Sequence, residues 1–93
     1  MSSPTISAER ESDGTRVRIA GEMLTQSLAL VEGPFARIQP EGGHVTLDLS
    51  GVEALDTSGA WLVADLAQRC TTAGAQLEFQ GAKPAHAALI ETV

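Results

Sequence analysis

Residues His44 to Gly59 read HVTLDLSGVEALDTSG and contain the most informative joint between a strand and a helix. Its residues 45–49 alternate apolar and polar side chains, which predicts a strand with one buried face. A second short apolar segment, Val52–Leu55, follows, and then the three oxygen-bearing residues Asp56–Ser58 precede a helical pattern. These oxygens therefore stand at a helix N-terminus, where backbone N–H groups lack partners and the helix dipole is positive.

The helix that begins at this joint is predicted from about Ser58 to Ala73. It stops at Gly74, a residue type that commonly ends helices. Helical spacing places several residues on one side of it, as expected for a stripe that faces the core. These residues are Gly59, Leu62, Val63, Leu66 and Cys70.

Three more strands are predicted around this unit. Ile6–Arg10 and Thr15–Ala20 both alternate, and they flank Asp13-Gly14, a strong signal for a two-residue hairpin turn. Ala75–Gln80 alternates through Leu77 and predicts the last strand.

Two further helices complete the pattern. The first begins at about Thr25 and is interrupted by Gly33-Pro34, where we expect a break or kink. The last begins at Pro84, since proline is favoured at the first helical position. The apolar residues of the first of these helices are Leu28, Val31, Phe35 and Ile38.

The predicted element order is therefore β-β-α-β-α-β-α. Helical crossovers imply parallel pairing in the second half, and the hairpin adds an antiparallel pair. We expect one α/β domain over residues 1–93, with a four-stranded mixed sheet and three helices. The apolar pattern is still running at Val93, which favours an N-terminal domain taken from a longer protein.

Composition narrows the classes of function. The 93 residues include 12 acidic and 6 basic ones, for a net charge of −6. This balance disfavours nucleic acid and anionic membrane surfaces, which are bound mainly through Lys and Arg. No apolar run approaches the length of a membrane span, and Met1–Pro4 does not resemble a signal peptide. The single cysteine, Cys70, cannot form an internal disulfide, and we expect a cytoplasmic protein.

The oxygen-bearing side chains before Gly59 have two interpretations. Asp56, Thr57 or Ser58 caps the helix, a contact worth about 1 kcal/mol. Alternatively, one hydroxyl is a phosphorylation site. A phosphoryl group carries about −1.5 to −2 charges, which the free amides of a helix N-terminus can bind. Asp48 and Asp56, if they are close, would repel it. Composition alone favours the cap.

The sequence DLSGVEALDTSGAWLVADL, residues 48–66, resembles the signature of STAS domains, small β/α modules of bacterial anti-sigma-factor antagonists and of transporter-associated regulators. The resemblance extends from the hairpin to AGAQLEFQGAKPA, residues 73–85. It implies a non-catalytic interaction module in which a partner kinase phosphorylates a Ser or Thr and so releases the bound partner. On this basis Ser58 is the acceptor and Thr57 the second choice, with Asp48 and Asp56 as the two acidic neighbours.

Two features of the sequence indicate which kind of STAS domain it resembles most. Anti-sigma-factor antagonists usually have an Asp soon after the glycine that ends the second strand, whereas here Glu22 follows Gly21 and no Asp comes next. In addition, Asp56–Leu62 is more similar to STAS domains fused to, or paired with, permeases of Mla-type lipid ABC transporters.

Helical geometry identifies a candidate docking surface. Successive residues of an α-helix are about 100° apart around its axis. With this spacing Trp61, Asp65 and Gln68 lie away from the core stripe, and Trp61 stands one turn after Ser58. Trp61 either covers a neighbouring loop or anchors a partner, since tryptophan is enriched among interface hot spots.

Other candidate chemistry is weak. Cys70 lies on the core stripe, and His44 and His86 lack paired ligand spacing. Carboxylates in strands and loops are more often solvated or capping groups than cation ligands, and this applies to Asp48, Glu53 and Asp56. We predict no metal, no cofactor and no catalytic residue.

A hydrolase remains the least favoured alternative. Ser58 lacks the flanking glycines of a nucleophile elbow, and no histidine is placed in sequence to act as its base.

Two protein-binding hypotheses remain. In the first, the chain is a regulatory domain of an Mla-type lipid transporter, and this domain binds the ATPase subunit. The domain does not insert into the membrane, but it is held at the cytoplasmic face of the inner membrane if it is fused to a permease. The second is an anti-sigma-factor antagonist that binds an anti-sigma factor with serine kinase activity and is inactivated by phosphorylation of Ser58.

Overall fold

The computed structural model describes residues 3–12, 14–38 and 43–92. The elements agree with the predicted order, with one 3₁₀ helix added before the first α-helix. They are β1 (Thr5–Glu11), β2 (Gly14–Met23), the 3₁₀ helix (Thr25–Leu30), α1 (Glu32–Arg37), β3 (Gly43–Leu55), α2 (Thr57–Thr72), β4 (Ala75–Gln80) and α3 (Pro84–Thr92).

The four strands form one mixed sheet in the order β1-β2-β3-β4. β1 pairs antiparallel with β2, from Thr5 opposite Ala20 to Glu11 opposite Gly14. The pairs β2–β3 and β3–β4 are parallel. The predicted hairpin and mixed sheet are therefore confirmed, while Asp13 of the turn lies outside the described residues.

β3 is longer than the sequence pattern indicated. The strand and the apolar segment after it, expected as separate pieces, form one strand that reaches Leu55. The register between β2 and β3 shifts twice, between Arg18 and Ala20 and between Gly21 and Glu22. These irregularities, typical of β-bulges, let pairing continue although β3 contains extra residues. As a result, β2 and β3 end side by side at Met23 and Leu55.

The predicted break at Gly33-Pro34 is wrong in position. The 3₁₀ helix ends at Leu30, Val31 separates the two helices, and α1 begins at Glu32. Pro34 lies in the first turn of α1, where a missing N–H removes no intrahelical bond. The change of helix type at Val31, which donates its N–H to Leu28 O at 2.9 Å, produces the break instead.

The helices pack on one face of the sheet and enclose a single core. Its largest fully buried side chains are Phe35, Ile19, Met23, Leu47, Leu66, Val17, Val63 and Cys70. The opposite face is polar, and there Arg16 contacts Asp48 on the neighbouring strand. Because the core requires α2 to lie across β2, β3 and β4, the start of α2 is fixed next to the end of β2.

Candidate functional site

Asp56 is the N-cap of α2. Its Oδ1 accepts a hydrogen bond from the Gly59 N–H at 2.9 Å, which satisfies one of the free amides of the first turn. Of the three residues that the sequence offered as caps, the structure thus assigns this contact to the carboxylate. The Ser58 and Thr57 hydroxyls are left for other interactions.

The second carboxylate oxygen of Asp56 binds Thr25, the first residue of the 3₁₀ helix. Asp56 Oδ2 accepts from the Thr25 N–H at 2.7 Å and from the Thr25 hydroxyl at 2.8 Å. Asp56 also donates its own N–H to the Met23 carbonyl oxygen at 3.3 Å. One residue therefore caps α2 and holds the beginning of the 3₁₀ helix against it.

Ser58 joins this group through Thr25. The Thr25 and Ser58 hydroxyl oxygens are 2.9 Å apart and share a hydrogen bond. Since a hydroxyl has one proton and a carboxylate can only accept, the Thr25 proton belongs to Asp56 and the Ser58 O–H donates to Thr25. The three side chains form a chain from Ser58 through Thr25 to Asp56, and we call it the hydroxyl relay.

The charge of the hydroxyl relay is held on Asp56. Partial burial raises the pKa of this carboxyl, but hydrogen bonds from the Gly59 and Thr25 N–H groups and the Thr25 hydroxyl outweigh it and lower the pKa below its ordinary value. Ser58 is half-buried and Thr57 is exposed at the first position of α2. The hydroxyl relay therefore places one carboxylate and two hydroxyl groups at the N-terminus of α2, where they are partly accessible to solvent.

Gly59 sets how closely α2 approaches β2. A Cβ atom at this position would overlap the Met23 carbonyl oxygen. Only glycine therefore allows the first turn of α2 to lie against the end of β2, which brings Asp56 within reach of Thr25.

Asp48 does not belong to this cluster. It lies in the middle of β3, and at about 3.3 Å per residue the strand separates it from Ser58. Its carboxylate accepts from the Ser50 hydroxyl at 2.6 Å and the Ser50 N–H at 3.0 Å, and it contacts Arg16 at 3.3 Å. The Ser50 hydrogen bonds chiefly, with help from Arg16, lower the pKa of Asp48. The expectation that both acidic residues flank Ser58 is thus corrected to Asp56 alone.

The predicted docking residues lie together on α2. Trp61, Ala64, Asp65 and Gln68 line a groove of about 300 Å³. Trp61 is 62% exposed, which confirms that it points away from the core. We call these four residues the α2 groove.

The family of the chain follows from comparison with known proteins. The family model described as "Mlab, STAS domain" matches residues 6–93. The chain belongs to the STAS domain family. No curated protein matches it.

Solved structures agree on the fold of this STAS domain. The STAS domain of an anti-sigma-factor antagonist from Rhodobacter sphaeroides is 18% identical, with a TM-score of 0.66 over 84% of this chain and 86% of that one. A protein named Mglu is 21% identical, with a TM-score of 0.65 over 84% of this chain but 20% of its own. STAS is a regulatory protein-interaction fold that is generally non-catalytic.

The sequence alone does not reveal two residues at or beside these sites. It predicts Thr25 only as the start of a helix, because its place in the hydroxyl relay depends on β2 and β3 ending together. Arg69 donates from Nε to Asp65 Oδ2 at 3.2 Å and from its other nitrogens to the Phe35 and Ile38 carbonyl oxygens. The spacing of Asp65 and Arg69, four residues apart on a helix, is the one sequence signal for this contact.

The remaining candidates have ordinary environments in the STAS fold. Cys70 is buried, and burial raises the pKa of its thiol. His44 contacts Glu78 at 3.2 Å on the polar face of the sheet. Within residues 3–12, 14–38 and 43–92, no group of three or more His, Cys, Asp or Glu residues is arranged to hold a metal ion. Across the same ranges, every helix is too short or too polar to cross a bilayer.

Proposed function

We propose that this chain is the regulatory STAS domain of an Mla-type lipid ABC transporter and that it binds the ATPase subunit on the cytoplasmic side of the membrane. The description of the matching family model supports the Mla assignment. The similarity of Asp56–Leu62, which lie within the matched range, to transporter-associated STAS domains supports it as well. In this proposal the domain regulates its partner by contact and performs no catalysis.

The observation that carries the proposal is the exposure of Trp61. This side chain is the single tryptophan of the chain, and it stands on the solvent side of α2, one turn after Ser58. A large aromatic ring held in solvent on a rigid helix is a typical interface anchor, because its burial by a partner removes much apolar area from water. We therefore place the partner on the α2 groove.

The first experiment replaces this anchor. We expect Trp61→Ala to weaken binding of the ATPase subunit by about ten-fold or more, the loss typical of a hot-spot residue. The melting temperature should change little, because the ring has few core contacts to lose. Binding is measured by calorimetry and unfolding by circular dichroism.

A matched control is available in Leu30, which is also 62% exposed but lies on the 3₁₀ helix. Leu30→Ala should leave the affinity within about two-fold of the original value. If both variants bind as tightly as the unmodified domain, the docking surface is wrong. A large loss of stability in Trp61→Ala would mean that the ring is structural.

We further propose that phosphorylation of Ser58 switches this contact off. A phosphoryl group replaces the proton that Ser58 donates to Thr25, so the hydroxyl relay loses its first hydrogen bond. It also adds about −1.5 to −2 charges beside the Asp56 carboxylate, which repels it. The contact of Thr25 with the first turn of α2 is then weakened, and the partner surface on α2, which begins one turn later at Trp61, changes.

The switch is tested by incubation with a serine kinase of the anti-sigma type and mass spectrometry. Ser58→Ala should abolish labelling, and Thr57→Ala, which removes the neighbouring exposed hydroxyl, should retain it. Loss of labelling in Thr57→Ala with full labelling of Ser58→Ala would move the site to Thr57. Absence of labelling in the unmodified domain would contradict the switch while leaving the docking surface untouched.

A second candidate function is that of an anti-sigma-factor antagonist. It is supported by the fold of the Rhodobacter sphaeroides protein and by the hydroxyl relay around Ser58. The lack of an Asp after Glu22 disfavours it. Pull-down with an anti-sigma kinase compared with the ATPase subunit separates the two functions, because each predicts capture by one protein and not by the other.

A further inference from the structure

We infer that the α2 groove receives a basic side chain of the partner, in first place the guanidinium of an arginine. This inference rests on the proposed docking function and names the chemistry of the partner. The groove is lined by the aromatic ring of Trp61, the acidic rim of Asp65, the amide of Gln68 and the methyl group of Ala64. An arginine stacks on an aromatic face while its N–H groups donate to a carboxylate, so these parts fit one such side chain.

The Asp65 carboxylate retains capacity for a partner. Arg69 contacts it through Nε alone, at Oδ2, and no described residue donates a hydrogen bond to Oδ1. The side chain of Asp65 is 48% exposed. A second donor can therefore approach this carboxylate from solvent without displacing Arg69.

The positive charge of Arg69 does not fill the groove. Its two terminal nitrogens donate to the carbonyl oxygens of Phe35 and Ile38, at 2.9 and 3.1 Å, on the side of α1. Arg16 and Arg18 lie on β2 and contact acidic residues on the opposite, polar face of the sheet. The charge of Arg69 is thus committed to carbonyl oxygens beside α1, and the whole chain has a net charge of −6.

The volume is consistent with a single long side chain. A space of about 300 Å³ beside the ring admits a guanidinium and its aliphatic stem. The stem would cover apolar surface on Trp61 and Ala64, while the charged end reaches Asp65. An acidic partner side chain would meet like charge at the same rim.

The test uses two probes. The first is a peptide with one arginine flanked by alanines, with citrulline as the neutral control of the same shape. Because the chain has one Trp and no Tyr, its intrinsic fluorescence reports the groove directly. We expect saturable quenching by the arginine peptide, at least five-fold weaker with citrulline and with Asp65→Asn. Glu91→Gln, an exposed acidic residue of α3, should bind like the unmodified domain.

The second probe is the ATPase subunit. Asp65→Asn should weaken its binding about five- to twenty-fold, in line with a partly desolvated charge contact, whereas Asp65→Glu should restore most of it. If Trp61→Ala weakens binding but Asp65→Asn does not, the docking surface stands and the basic side chain is wrong. Equal binding of the arginine and citrulline peptides would overturn the inference as well. If the ATPase subunit does not bind at all while the arginine peptide behaves as expected, the proposed function fails and the groove chemistry remains.

Discussion

At the scale of single residues, the start of α2 and the end of β2 meet at one backbone atom, the Met23 carbonyl oxygen. Asp56 donates its N–H to this oxygen, and the absence of a Cβ on Gly59 leaves room for it. The same close approach lets Thr25 lie between Asp56 and Ser58. The hydroxyl relay therefore depends on a glycine that makes no polar side-chain contact of its own.

This dependence predicts the effect of Gly59→Ala. The added methyl group overlaps backbone that belongs to a central strand, so relief requires a shift of the helix. We expect the free energy of unfolding to fall by about 2–4 kcal/mol. Urea unfolding followed by circular dichroism measures it.

Gly33→Ala is the matched control, since Gly33 is also helical and its added Cβ meets only the flexible end of Arg37, at 3.5 Å. It should leave stability unchanged or raise it by up to about 1 kcal/mol. Equal stability of the two variants would show that the contact with Met23 is not tight.

At the scale of the elements, α1 is held by α2. A helix of six residues is not stable alone. Arg69 of α2 donates to the Phe35 carbonyl oxygen, which also accepts from the Ile38 N–H at 3.2 Å, and to the carbonyl oxygen of Ile38, the residue that follows α1. The sequence indicated that a helix breaks in this region but not where, because the break depends on how each short piece packs.

Arg69→Gln is expected to reduce the free energy of unfolding by about 2 kcal/mol, because two charge-assisted hydrogen bonds are lost. Chemical denaturation measures the loss, and faster amide exchange in residues 32–38 should accompany it. Arg37→Gln changes an exposed arginine in the last turn of α1 and should cost less than about 0.5 kcal/mol. Similar effects of the two substitutions would mean that Arg69 does not hold α1.

At the scale of the whole molecule, three groups whose pKa is lowered by folding make stability depend on pH below neutrality. Hydrogen bonds lower the pKa of Asp48 and Asp56 from an ordinary value of 3.8, and burial, with a smaller effect of Lys83, lowers the pKa of His86 from 6.5. In each case the unfolded chain binds protons more readily than the folded one. Stability is therefore highest at neutral pH and falls as the pH falls.

We expect two stages in a series of urea unfolding curves from pH 8 to pH 2.5. The first decline begins near pH 6.5 and should disappear in His86→Asn. The second begins near pH 4 and should become shallower in Asp56→Asn and in Asp48→Asn, with Glu91→Gln as the exposed control. A stability that rises on acidification would contradict these directions.

The sequence alone predicts the element order, the mixed sheet and the outward direction of Trp61. These follow from alternation, helical spacing and turn residues, which are properties of neighbouring positions. It also identified Asp56 and Ser58 as residues at the start of a helix.

The groups that meet at the start of this helix are fixed by the three-dimensional fold. Thr25 and Ser58 are 33 positions apart, and their contact requires β2 and β3 to end together in register. Asp48, by contrast, is near Asp56 in sequence but separated from it because β3 is extended. Contacts between distant positions depend on strand register and helix packing, and a local pattern of residue types does not encode either one directly.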